Sequence, residues 1–147
     1  MIKKLLISLI LLIALLAGCN QSTSGTSSKD IAKQAFEWEK ARFDSDYDRQ
    51  QELIYKEGSY EVDKTAKKTD SGLKYEDIRY EIYYDKELEQ YYVFADFKNP
   101  IGENSVKDNI LFRKKGGEWK VDTSKSLDIV REEVSKKFDQ EACINCK

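Results

Sequence analysis

The chain has no histidine, one proline (Pro100), one methionine (Met1) and only three cysteines in 147 residues. Without histidine the commonest general base near neutral pH is missing, and so is the residue that would complete a metal site around a cysteine pair. No metal and no cofactor is expected. An excess of positive charge is missing too. Once residues 1 to 18 are set aside, for the reason given below, 23 lysines and arginines face 27 aspartates and glutamates, a net charge of -4. That argues against nucleic acid as a partner. Nor is there a long hydrophobic run. The apolar stretch from Leu5 to Ala17, broken only by Ser8, would make a helix of roughly 20 Å against a hydrocarbon core of about 30 Å. It is too short to span a bilayer comfortably. The 129 residues that follow Gly18 fit one domain, large enough to bury a core and too small for a two-lobed solute receptor.

The front of the chain reads as a targeting segment. Lys3 and Lys4 precede the apolar stretch, and the small residues Ala17 and Gly18 close it, which is secretory signal anatomy. Leu16-Ala17-Gly18-Cys19 resembles the lipobox of bacterial lipoproteins. The resemblance implies cleavage between Gly18 and Cys19 and a diacylglyceryl group on the Cys19 thiol. Two acyl chains would supply well over 10 kcal/mol of membrane affinity at about 0.8 kcal/mol per buried methylene. The mature protein is then expected on the extracytoplasmic face of the cell membrane, anchored to the bilayer through Cys19. Asn20 to Ser28, small, polar and uncharged, reads as a tether.

Periodicity organises the remainder. Ile31, Ala32, Ala35, Phe36, Trp38 and Phe43 recur at helical intervals, and Tyr47, Leu53 and Ile54 suggest a second short helix, with Ser45 and Asp48 at capping-box spacing and Gly58 as its end. The period then changes to two. Ile78, Tyr80, Ile82 and Tyr84 alternate with Asp77, Arg79 and Glu81, while "YYVFADF" from Tyr91 to Phe97 is apolar on both faces and so serves two layers. Asn99-Pro100 and Gly102 mark a turn, Val106 to Arg113 a further strand, and Gly116-Gly117 a tight hairpin leading to Trp119 and Val121. A short strand is expected at Ser59 to Val62. From Ser126 to Phe138, Leu127, Val130, Val134 and Phe138 form one stripe of an amphipathic C-terminal helix.

This order, two helices followed by an antiparallel meander ending in Trp119-Lys120-Val121, resembles the nuclear transport factor 2-like fold, with a cystatin-like arrangement as the alternative. The expected class is α+β: N-terminal helices packed on a curved antiparallel sheet, plus the C-terminal helix. The expected organisation is a signal peptide at 1–18, the lipidated cysteine and tether at 19–28, one domain at 29–140, and a C-terminal tail at 141–147. Enzymes of the nuclear transport factor 2-like superfamily place a carboxylate or histidine base and tyrosine donors inside the cone of sheet and helices. That implies a test of Asp96, which shares a strand face with Tyr92 and Phe94. Its wet-end alternative is that Asp96 simply sits at the solvated end of the strand.

Two further features have plain readings. "DSDYD", Asp44 to Asp48, starts like a calcium loop but has Arg49 where glycine is needed and Tyr55 where a bidentate glutamate is needed. Cys143 and Cys146 form a CxxC after a helix instead of at its N-terminus, so an exposed disulfide or two idle thiols is expected over redox chemistry. The resulting expectation is a membrane-anchored, non-enzymatic module that binds a membrane or cell-envelope protein, such as part of a conjugation or exclusion system. The alternative is a small-ligand binder or an isomerase- or dehydratase-type enzyme working in the cone.

Overall fold

The computed structural model describes residues 25–59 and 63–147. The lipobox, most of the tether and the strand expected across Ser59 to Val62, apart from Ser59 itself, lie outside the described residues.

The elements are α1 (Ser28–Phe43), α2 (Tyr47–Leu53), a 3-10 turn (Tyr75–Asp77), β1 (Arg79–Asp85), β2 (Gln90–Lys98), β3 (Ser105–Lys115), β4 (Glu118–Val121), α3 (Thr123–Ser126), α4 (Arg131–Lys137) and β5 (Gln140–Ile144). The strands form one open antiparallel sheet in the order β4-β3-β2-β1-β5. The protein is therefore α+β. Among the described residues, no helix is long and apolar enough to cross a membrane.

Local chemistry sets the helix starts. Ser27 and Asp30 make a reciprocal capping box at the head of α1, satisfying amide groups that the first turn leaves free. Asp46 caps α2, its carboxylate accepting the Arg49 N–H at 3.2 Å. The expected cap was one residue earlier, but Ser45 lies in the left-handed region (φ 55°) and only turns the chain. α2 also stops short of Gly58, because Ile54 is extended and bridges in parallel to Val121.

The alternation along the strands builds two layers of packing. Tyr80 and Ile82 of β1, Val93, Ala95 and Phe97 of β2, and Ile110 and Phe112 of β3 face α1, where Ile31, Ala32, Ala35 and Trp38 complete the main core. The other face carries Tyr83 and Phe94, which pack with Val134 and are flanked by Tyr92, Ile129 and Phe138. β2 thus serves both layers, as its doubly apolar sequence requires. Gly116 and Gly117 both have positive φ (59° and 83°), the geometry that lets a two-residue hairpin follow the strand twist.

The C-terminal region differs from its expected single helix over Ser126 to Phe138. α3 ends at Ser126, Ile129 and Val130 lie outside any helix, and α4 begins at Arg131. The backbone and side-chain groups at the break have other partners. Asn109 Nδ2 donates to the Ile129 carbonyl at 3.0 Å, and the Leu111 N–H donates to Ser126 Oγ at 3.0 Å. Both ties fasten the break to β3. Leu127 and Val130 are consequently exposed, and only Val134 of the expected stripe is buried. The tail expected beyond residue 140 is likewise part of the sheet: β5 pairs along β1 from Tyr80 to Tyr83.

Candidate functional site

Two charged clusters lie on opposite faces of the sheet. Asp96, the acid singled out from the sequence, belongs to the outer one. Its Oδ2 accepts from Arg131 at 2.8 Å and from Arg79 at 3.2 Å, and Glu81 contacts the same two arginines. Arg131 also lies over the Phe94 ring at 4.9 Å. Tyr92 and Phe94 do share its face, as expected, but that face packs against α4, away from α1. Asp96 is therefore not inside the space between sheet and N-terminal helices, and two guanidinium groups occupy it.

The acid that is inside is Glu39. It sits on α1 with no exposed surface. Arg42, one turn further on, approaches its two carboxylate oxygens at 3.2 and 3.4 Å and also pairs with Asp108 of β3. Burial is the main influence on the Glu39 carboxyl and pushes its pKa well up; the neighbouring Asp108 pushes the same way and Arg42 opposes both. Arg42 thus bridges the buried Glu39 carboxyl of α1 and the Asp108 carboxylate of β3. Tyr80, fully buried on the same face, has a hydroxyl with no hydrogen-bond partner among the described residues, and burial raises its pKa strongly. Tyr75 stacks on it at 5.3 Å between ring centroids.

Arg42 and Asp108 also line a cleft of about 470 Å³ that opens between the C-terminal half of α1, β3 and α3. Trp38, Asn109, Ser124 and Leu127 complete much of its wall, and the Ser59 and Thr123 hydroxyls meet at 2.7 Å beside it. The cleft combines an apolar wall, hydroxyls and one ion pair, the mixture of an interaction or ligand-binding surface. A second cavity of about 480 Å³ lies on the outer face between α4 and strands β2 and β3, with Tyr92, Leu111 and Phe138 in its wall.

Glu39, Arg42 and Asp108 were not singled out in the sequence. Glu39 had a signal: it stands four residues after Ala35 and eight after Ile31, on the stripe that α1 buries. A charge on that stripe asks for a partner, and Arg42 is at i+3. Asp108 had none, because its place depends on strand register.

The remaining candidates are accounted for structurally. Asp44 accepts from Ser71 and pairs with Lys40 at 2.8 Å, and Asp46 pairs with Lys68 at 2.6 Å. Cys143 and Cys146 are joined in a disulfide at the end of β5. Between them Asn145 takes positive φ (56°) and donates to the Tyr75 and Ile78 carbonyls, both at 2.9 Å. The tyrosines mostly pack: Tyr84 on Tyr91, Tyr91 on Trp119, Tyr92 on Phe138. Cys19 and Gly18 lie outside the described residues.

Comparison with known protein families, with curated proteins and with solved structures finds no match for this chain.

Proposed function

We propose that this chain is a bacterial lipoprotein, held on the extracytoplasmic face of the cell membrane by an acylated Cys19, whose domain acts as a non-enzymatic interaction module for a membrane or envelope protein. Leu16-Ala17-Gly18-Cys19 carries the anchor. The domain supports the rest through the place where the tether ends. The Tyr91 hydroxyl donates to the Thr26 carbonyl at 3.2 Å and Trp119 Nε1 donates to Thr26 Oγ1 at 2.7 Å. Only Asn20 to Gly25 then separate the lipidated cysteine from the folded domain. Six residues reach at most about 20 Å and on average about 12 to 15 Å, so the domain would ride close to the headgroups. α1 starts at that end and, at 16 residues, extends about 24 Å away from it. The cleft beside Trp38 and Arg42 lies towards its far end, where an envelope partner could reach it.

The domain's fold in this reading is nuclear transport factor 2-like or cystatin-like, supported by helices packed on one face of an open antiparallel sheet. A conjugation or exclusion system is a suitable setting for such a module. Its charged clusters support a binding role: both Asp96 and Asp108 are neutralised by arginines. Membrane fractionation of the wild type and Cys19→Ala tests the anchor. The wild type is expected in the membrane fraction, cleaved before Cys19, and the variant is expected to lose both properties. A Cys19→Ala chain still membrane-bound and cleaved after Gly18 would overturn the reading.

One observation favours the second reading, a ligand-binding or isomerase- or dehydratase-type cone. Glu39, a buried carboxyl whose pKa burial pushes well up, shares the inner face with the Tyr80 hydroxyl. In that version the acid is Glu39 and not Asp96. Full function in vivo of Glu39→Gln would dismiss it.

A further inference from the structure

The wall of the cleft contains a length of sheet edge that no strand covers among the described residues. β3 has 11 residues but pairs with β4 only from Phe112 to Lys115. Leu111 shows which backbone groups point to that edge. Its N–H donates to Ser126 Oγ at 3.0 Å and its carbonyl accepts the Asp122 N–H at 2.8 Å. Alternation along an antiparallel strand then turns the N–H and C=O of Asn109, Lys107 and Ser105 the same way. The Asn109 N–H is taken by Asp108 Oδ1 at 3.0 Å, and the Ser105 carbonyl has a long contact of 3.4 Å from Asn104. Lys107 keeps both its N–H and its C=O without a hydrogen-bond partner among the described residues, as do the Ser105 N–H and the Asn109 carbonyl.

The edge strand at the other end of the sheet is β5. β5 covers β1, and the disulfide and Asn145 fasten its end. Edges left open are usually blunted by proline, bulges or dense charge. From Ser105 to Asn109 there is no proline, and the register with β2 runs without a shift. Lys107 and Asp108 are the charges there, and Arg42 neutralises Asp108. Lys107 makes no ion pair among the described residues. At the rim of the adjoining cleft Leu127 leaves 87% of its surface exposed.

We propose that Ser105–Asn109 receives an extended segment of a partner protein as a sixth strand, with an acidic residue of that segment opposite Lys107 and its alternate side chains entering the cleft beside Leu127. This rests on the interaction-module reading and names how the module would bind. Backbone groups supply the attachment, and side-chain pockets on alternate positions supply selectivity. The charge also argues against a second copy of this chain. Two such edges paired antiparallel about Lys107 would set lysine against lysine, a destabilising cross-strand pair.

The test uses the full lipidated chain in its own cells, with a photo-reactive residue placed in turn at Ser105, Lys107, Asn109 and, on the outer helix, Lys136. Cross-linked peptides are sequenced by mass spectrometry. Strand addition predicts that the three β3 positions reach residues spaced by two along one segment of one protein, because both strands have a period of two. It further predicts that Lys107→Pro, combined with the probe at Asn109, lowers that yield by roughly tenfold, and that Lys107→Glu lowers it several-fold. An unchanged melting temperature for Lys107→Glu separates lost binding from lost folding. Cross-links from β3 to another copy of this chain, to scattered proteins, or to residues spaced as on a helix would overturn the proposal. So would undiminished cross-linking in both Lys107 variants. Products from Lys136 alone would overturn strand addition while leaving the interaction module standing, and no specific product from any position would overturn both.

Discussion

Glu39 shows what one residue can cost a fold that keeps it. Its carboxyl binds a proton more tightly in the folded chain than in the unfolded one, since burial and Asp108 both oppose its charge. Above the ordinary carboxyl pKa the unfolded state releases a proton that the folded state retains, so this residue's contribution lowers stability as pH rises. Glu39→Gln keeps the shape and removes the titration. Urea unfolding at pH 5 and pH 8 should show the glutamine variant gaining on the wild type towards pH 8, and a constant difference would contradict the assignment. Glu39→Ala instead leaves a cavity in the main core and removes the Glu39 contacts of Arg42, and is expected to cost about 2 to 4 kcal/mol. Asp96→Asn is the contrasting case. It removes the shared anion from Arg79 and Arg131, for a loss of about 1 to 3 kcal/mol in unfolding, and, because Asp96 stands opposite Lys107 in register, it also alters the charge beside the proposed strand site. Chemical denaturation and in-cell cross-linking read the two effects separately. The sequence suggested Asp96 because strand alternation is easy to read. It could not show which layer each face meets, and Glu39 was hidden by counting α1's stripe only in apolar residues.

At the scale of elements, legibility followed the range of the interactions. α1, β1, β2 and the Gly116-Gly117 hairpin depend on local period, caps and φ, and they stand where the pattern put them. The C-terminal segment does not, because its periodicity competes with bonds that only the folded sheet supplies. Asn109 and Leu111 of β3 take groups at Ile129 and Ser126, and the helix breaks between them. The beta-branched pair Ile129 and Val130 makes that break cheaper. β5 was invisible for the same reason: Gln140 to Ile144 is a strand because β1 has an edge for it, not because its own sequence alternates strongly. Its disulfide closes a small ring, with a loop-entropy contribution of about 2 kcal/mol. The bond fixes the turn that lets Asn145 bind the Tyr75 and Ile78 carbonyls. Replacing Cys143 and Cys146 by serine should therefore speed amide exchange across β5 far more than across β2 or β3. Equal acceleration everywhere would mean that the strand's attachment is not local. Ser27→Ala removes the capping box of α1 and should cost about 1 kcal/mol in thermal or denaturant unfolding.

The whole molecule is organised along one axis. Thr26 is held at one end of α1 by Tyr91 and Trp119, and the cleft, with the β3 edge that no strand covers among the described residues, lies towards the other. In the proposed reading a lipid on Cys19 holds the domain near the membrane through the short tether, with the cleft towards the end of α1 away from Thr26. The proposed anchor rests on composition and the lipobox motif alone; the place of the cleft relative to the tether required the docking of Thr26, which rests on contacts 65 and 93 residues away in sequence. The most direct test is in-cell cross-linking of the tagged, lipidated chain against its Cys19→Ala control, with partners identified by mass spectrometry. The account predicts one membrane or envelope protein recovered from the lipidated form and lost from the control. A folded, abundant, membrane-bound chain that yields no specific partner would contradict it.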